Sequence, residues 1–391
     1  SPPGRSAQLS APTNVIASQL GVLMMFRRTI IAVVALAAGA LGAIGVAAAA
    51  DLPVKAAKKT ADLPFFLLID NRVTFSWMPK GTDPGVFSTR PDGSINGTTA
   101  KQVYSFTHFD LWQYGTNFFT ISMFKSDHND PANPCTNAGV IFTPSTGIAS
   151  PASCEGATEI YGLFRSTFGW NEIFNTKAFT MGPLHNVSFE VGMDANTENN
   201  YLSPAKRDVV AGLQFALDLP YKGYVDVAPL VYWEFYNRNA FTQCGAGWQL
   251  PAAPIPGVNC LNDGNRSFNP TWALEVNYYM DLGFLPPNMQ FWSISGRAGW
   301  YGEKGSENNP LPGTKTAIEL NSEPIRLTFD ASKAVLGEKY SHFVDLWVAY
   351  RYWQNKFGID HKLSTVCNVR AGVSNNSCTE ETVYGGITVK F

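Results

Sequence analysis

The sequence predicts an all-β fold: a transmembrane antiparallel β-barrel of about twelve strands, with both termini on the periplasmic side. Three observations predict it. Only 15% of the 391 residues are charged while 13% are aromatic, against roughly 25% charged in soluble domains. One long apolar run is present, Thr29 to Ala50, where a helical membrane protein of this size needs several runs of about 20 residues. The C-terminus alternates: Val383, Gly385, Ile387, Val389 and Phe391 share one face, and Thr382, Tyr384, Gly386, Thr388 and Lys390 share the other. Period-2 alternation makes a strand with one apolar face, and in lipid only a closed barrel satisfies such strands.

The N-terminal run reads as an export signal. Residues 1–23 precede Met24 and Met25 and are expected to be a non-native or misassigned extension. Arg27 and Arg28 supply the positive start, Ile30 to Val46 the apolar stretch and Ala48-Ala49-Ala50 the cleavage site. The signal peptide is therefore 24–50, followed by a periplasmic N-terminal segment, 51–64, and the barrel, 65–391. Removing residues 1–50 takes away three Arg and no acids, leaving 26 basic against 31 acidic side chains. That balance argues against a nucleic-acid partner.

The strands follow in order at 66–77, 102–110, 116–125, 158–168, 185–195, 207–219, 224–236, 271–284, 290–301, 323–334, 342–354 and 381–391. The next-to-last shows the pattern clearly, with Val344, Leu346, Val348, Tyr350 and Tyr352 opposed to Asp345, Trp347, Ala349, Arg351 and Trp353. An even count returns both ends to one side, and eleven residues tilted by about 45° span roughly 25 Å, the height of an outer-membrane apolar band. Pro220–Gly223, Leu285–Met289 and Val335–Ser341 are short, as periplasmic turns are. The stretches 78–101, 126–157, 237–270, 302–322 and 355–380 are long and rich in Gly, Pro and Asn, as external loops are. Residues 170–184 are long for a periplasmic turn. The six cysteines fall as Cys135/Cys154, Cys244/Cys260 and Cys367/Cys378, each pair within one expected external loop. Fifteen connectivities are open to six cysteines; local pairing is the simplest, in a compartment that permits disulfides. No CxxC or clustered His suggests a metal site, and no cofactor motif is present.

In this register the inward acids are Asp70, Glu190, Asp194, Asp218, Asp226, Glu234, Glu275, Asp281, Asp330 and Asp345, and the inward bases Arg72, Arg165, Arg297, Arg326, Arg351 and Lys390. The acidic excess disfavours an anion channel, which needs a basic constriction; pairs across the lumen bracing the barrel are the plainer use of these charges. Inward aromatics are Phe118, Phe124, Tyr161, Tyr232, Tyr236, Tyr279, Tyr301, Trp347, Trp353 and Tyr384. With amides such as Gln214 and Asn277 they suit a flat, hydroxyl-bearing solute such as a nucleoside, through stacking and carboxylate acceptors. The same rings could instead fill a narrow lumen, and the pattern fits both. Trp233, Trp272, Trp292 and Trp300 fall on the outer face, where aromatic girdles lie. The solute path is expected along Phe118, Phe124, Tyr161, Tyr232, Glu234, Glu275, Tyr279, Arg297, Asp345, Arg351 and Trp353.

An enzyme is not expected. A lipid-hydrolysing barrel needs a His and a Ser poised together at the outer surface, and His108 and His185 fall near periplasmic strand ends.

Ser105-Phe106-Thr107-His108, Tyr114-Gly115-Thr116-Asn117-Phe118-Phe119, Ser126-Asp127 and Asn129-Asp130-Pro131 resemble the signature region of the Tsx-like family of nucleoside-specific outer-membrane channels, in its outer envelope protein branch. Tyr350-Arg351-Tyr352-Trp353-Gln354-Asn355-Lys356-Phe357-Gly358 is similar to that family's penultimate strand. Leu111-Trp112-Gln113 departs from it, since a Gly and a Lys are usual there. The resemblance runs from about residue 64 to the end. It implies a twelve-stranded barrel in the outer membrane of a Gram-negative bacterium that passes nucleosides or similar small polar solutes passively. A general porin and a plugged structural barrel are the alternatives. Expected partners are the solute, outer-membrane lipids and, through the C-terminal strand, the barrel assembly machinery; the sequence sets no oligomeric state.

Overall fold

The computed structural model describes residues 64–391 except 85, 90–91, 128–129, 132–139, 143–148, 152–155, 200–204, 239–264, 305–316, 364–366 and 371. The signal peptide 24–50, the segment 51–63 and Cys135, Cys154, Cys244 and Cys260 lie outside the described residues.

Twelve strands form one closed antiparallel ladder: β1 (Phe66–Gly81), β2 (Thr99–Trp112), β3 (Gly115–Ser126), β4 (Thr158–Gly169), β5 (Leu184–Glu198), β6 (Ala205–Leu219), β7 (Gly223–Arg238), β8 (Thr271–Asp281), β9 (Trp292–Tyr301), β10 (Glu319–Asp330), β11 (Val344–Gln354) and β12 (Thr379–Lys390). Each pairs with its chain neighbours, and β12 pairs with β1 from Arg72↔Lys390 to Trp77↔Gly385. Closure leaves no strand edge, so the backbone of the wall pairs strand to strand along the ladder without water.

Small corrections to the expected ends follow from turn chemistry. The strand expected over 271–284 stops at Asp281, because Leu282 to Gln290 turn through a short 3-10 segment, Pro287–Met289. The strand expected over 323–334 runs instead from Glu319 to Asp330, whose carboxylate caps the helix Ala331–Leu336 by accepting from Lys333 N–H at 2.8 Å. An Asp ahead of a helix satisfies one of its orphan donors and ends the strand there. The strands expected from 290 and 342 begin at Trp292 and Val344. Phe391 lies one residue past β12, though its N–H still donates to Asn71 O at 3.0 Å. The long turn after β4 holds one helical turn, Trp170–Ile173, and folds on itself. The Trp170 and Phe179 rings meet edge-on at 5.0 Å, and Asn171 bonds Thr180 and Phe179.

Turns after β2, β4, β6, β8 and β10 share one end of the ladder with the start of β1 and the end of β12. Connections after β1, β3, β5, β7, β9 and β11 share the other end and are mostly long. On the outer wall Val73, Ile121, Ile160, Val231, Ile325, Leu346, Val348 and Val383 are exposed. Trp77, Trp233 and Trp272 flank this belt towards the long loops, and Phe65, Tyr114, Phe174, Tyr221 and Phe284 flank it at the turns. An apolar belt between two aromatic girdles around a closed barrel is the surface of an outer-membrane protein, with turns and termini periplasmic.

In the last external loop Cys367 and Cys378 are joined, around the two-residue-scale hairpin of Asn368–Arg370 and Val373–Ser374, and both are buried beside Ile359.

Candidate functional site

Alternation sends one side chain in two into the lumen, and the ladder fixes which. At mid-height, Arg165 on β4 reaches across to β8. Its Nε and Nη2 donate to the two Glu275 oxygens at 3.1 and 2.8 Å, and its Nη1 donates to Asp194 on β5 at 2.6 Å. A bidentate guanidinium–carboxylate pair fixes orientation as well as charge. Tyr301 donates to Glu275 at 3.0 Å and Tyr161 to Asp194 at 3.1 Å, completing a strut that ties β4 and β5 to β8 across the lumen. Gly192 permits it: a Cβ there would stand 2.5 Å from Arg165 Cδ and from Phe164 O.

Towards the outside, Tyr232, Asp208 and Glu234 are buried together. The Tyr232 hydroxyl donates to Glu234 at 2.9 Å, and Lys304, from the loop after β9, pairs with the same carboxylate. Lys206 pairs with Asp208 at 3.1 Å. On the opposite wall Arg351 and Lys356 share Glu380, and Lys356 stands over the Trp353 ring at 4.4 Å. Trp353 Nε1 donates to Glu319 at 2.7 Å. Lys206 also lies 5.8 Å from the Phe357 ring, so the loop after β11 meets the β6 wall. Buried charges persist only when paired like this.

A second crossing is apolar. Phe124 on β3 packs on Met78, Trp347, Ala349 and Tyr384 of β1, β11 and β12. Beside it Arg326 lies 3.9 Å over the Trp347 ring and donates to Glu323 at 2.7 Å, and Tyr384 donates to the same carboxylate. Strict alternation would send Glu323 and Arg326 to opposite faces. A register shift around Pro324, where Ser295↔Arg326 is followed by Arg297↔Glu323, puts both inside. Proline has no N–H to give the ladder, so a bulge falls there naturally.

The periplasmic half is open. Phe118 is 36% and Tyr224 44% exposed, and Asn277 and Arg297, opposite one another on β8 and β9, are exposed as well. Tyr224 and Tyr279 stack at 6.1 Å. At the rim, Asp330 accepts from Ser332, Ser341 and the His342 N–H at 2.9, 2.7 and 2.7 Å besides its cap bond. His342 Nδ1 lies 3.0 Å from Asp345, which also holds its pKa above the usual 6.5, and Nε2 lies 3.2 Å from the Tyr279 hydroxyl. This grouping is a fastening for the β10–β11 turn. Asp70 is held by Arg72 at 2.7 Å and Lys390 at 2.8 Å, tying β1 to β12.

The residues expected along the path thus separate. Phe118 and Arg297 face open space. Tyr161, Glu275, Asp345, Arg351 and Trp353 are engaged in pairs, Phe124 packs across the lumen, and Tyr279 bonds at the rim. Tyr232 and Glu234 are sealed. One inward assignment is corrected: Tyr236 pairs with Arg207, whose guanidinium lies 4.6 Å from its ring, on the outer side of a β7 bulge. Asp218 keeps its inward register opposite Tyr224 but stands largely exposed at the rim beside His185. Sequence reasoning missed Glu159, Lys206, Asp208 and Tyr224, although each shares a strand face with a residue assigned inward. Glu319 and Glu380 lay beyond the expected strand ends, and Lys304 and Lys356 enter from loops, where alternation gives no signal.

No family model matches the chain, and no curated protein matches it in sequence. Among solved structures it is similar to an outer-membrane channel from Pseudomonas putida F1, at 10% identity and a TM-score of 0.39 over 85% of this chain and 100% of that one. It is similar also to the translocator domain of the autotransporter NalP from Neisseria meningitidis, at 10% identity and a TM-score of 0.35 over 96% and 98% of the two chains. A BenF-like porin from Pseudomonas fluorescens Pf-5 gives 7% identity and a TM-score of 0.32 over 84% and 99%. The fold assignment rests on the closed ladder itself.

Proposed function

We propose that this barrel is a passive channel for small polar solutes, with nucleosides the favoured class. The observation that carries the reading is the open half of the lumen, where the Phe118 ring is accessible in the same barrel as the exposed pair Asn277 and Arg297. A ring offers a stacking face worth about 1–3 kcal/mol to a base, and amide and guanidinium groups offer donors to its polar edge. The resemblance to nucleoside-specific channels in Ser105–Phe119 and Tyr350–Gly358 favours the same class. Conduction needs binding weak enough to release, so affinity is low. The terminal strand and Phe391 serve as the handle for barrel assembly.

Reconstituted in planar bilayers, the protein conducts, and adenosine or thymidine transiently lowers the current. Current unchanged by every nucleoside makes it a general pore. A plugged structural barrel is the second reading, favoured by the Arg165–Glu275 strut and the buried outer network; absence of both conductance and liposome swelling would establish it.

A further inference from the structure

The external mouth holds a group of carboxylates unlike the paired charges elsewhere in the lumen. Glu159, near the start of β4, and Glu198, the last residue of β5, stand directly opposite one another on adjacent strands. Like charges in that position repel. Asp83, from the loop after β1, brings a third carboxylate, and one oxygen from each of the three lies within 4.8 Å of the others. Lys101 supplies one ammonium, 2.9 Å from Asp83 and 3.8 Å from Glu159. Glu198 is 6% exposed, and among the described residues it has neither a hydrogen-bond nor an ion-pair partner. Three carboxylates and one ammonium leave two negative charges uncompensated in a largely buried place, which is costly.

We propose that Asp83, Glu159 and Glu198 form a calcium site at the external mouth. One divalent cation beside Lys101 brings the group to neutrality. Calcium fits the spacing better than magnesium: oxygens up to 4.8 Å apart need little closure to reach calcium–oxygen distances of about 2.3–2.6 Å, and more to reach the roughly 2.1 Å octahedron of magnesium. The three ligands come from three parts of the wall, so the ion fastens the loop after β1 to the β4–β5 rim. That loop is positioned beforehand, since Thr82 N–H donates to Glu380 at 2.9 Å and Val86 N–H to Asp83 O at 3.0 Å. The site lies at the external mouth, on the side of the membrane where calcium sites work at dissociation constants of about 10⁻⁴–10⁻³ M.

Calorimetric titration of calcium chloride into the full chain, refolded in detergent and stripped with EDTA, tests the site. One saturable event in the sub-millimolar to millimolar range is expected, weaker with magnesium chloride, and at least roughly tenfold weaker in Glu198→Gln. Terbium luminescence on the wild type, reversed by calcium, gives a second measurement if the variant does not fold. A wild-type protein with no saturable calcium binding overturns the site and leaves Glu198 a protonated buried acid; a folded Glu198→Gln variant that binds calcium as tightly as the wild type overturns it equally.

Discussion

The two halves of the lumen use similar residues to opposite ends. In the external half, Asp208, Glu234, Lys304, Arg351 and Glu380 are buried and Lys206 is half-buried, each with a counter-charge in contact. In the periplasmic half, Phe118, Tyr224, Asn277 and Arg297 are exposed within the same wall. The difference comes from the connections: external loops bring Lys304, Lys356 and Phe357 inward to meet the wall, whereas the periplasmic turns fold on themselves or are fastened at the rim, as by Asp330. On the channel reading proposed above, the paired charges would narrow the path and the exposed side chains would meet the solute, so that selection by size would belong to the outer half and selection by contact to the inner half.

The largest effect that would break this division is expected at the strut. Arg165→Ala leaves the buried Asp194 and the half-buried Glu275 without their cation, and losing one member of such a pair costs up to about 3–5 kcal/mol. Urea unfolding should shift to lower concentration, and single-channel conductance should rise because the walls are no longer bridged. Unchanged conductance would show that the strut does not limit the path. Opening Cys367–Cys378 should come next. For a loop this short the chain-entropy cost is about 2–3 kcal/mol, confined to the external loop. Reduction should expose 359–378 to proteolysis while the barrel keeps its heat-modifiable mobility.

The sequence made the wall legible because lipid outside and water inside impose period-2 alternation on every strand. The end of each strand was less legible, since a ladder continues as far as its partner does: β1 runs to Gly81 because β2 starts at Thr99. The bulge at Pro324 inverted one residue's face, although the proline itself marked the place. Partners across the lumen were not legible. Which strand Arg165 meets depends on barrel shear and cross-section, which no local pattern records, and Lys304 and Lys356 belong to loops whose path is set by the mouth they fill.

Within the open half, Phe118→Ala should sharpen the contrast without disturbing the fold. The ring is partly accessible already, so the change should cost about 1–2 kcal/mol of stability, less than removing the strut. Nucleoside-induced current reduction should weaken by several fold, while open-channel conductance stays the same. A rise in conductance instead would place the constriction at Phe118 rather than at the strut.

The smallest effect is expected at the periplasmic rim and depends on pH. His342 hydrogen-bonds Asp345, which raises its pKa above 6.5, with burial opposing in part. Protons therefore bind the folded state more tightly than the unfolded one. The contribution is complete below pH 6.5 and is lost as pH rises through the higher folded value. His342→Gln should thus destabilise the β10–β11 turn in mildly acidic buffer and converge with the wild type in mildly alkaline buffer. Hydrogen exchange in 331–343 at both pH values measures it. Equal differences at both would mean that His342 acts through its neutral contact with Tyr279, and the rim would then be indifferent to protons.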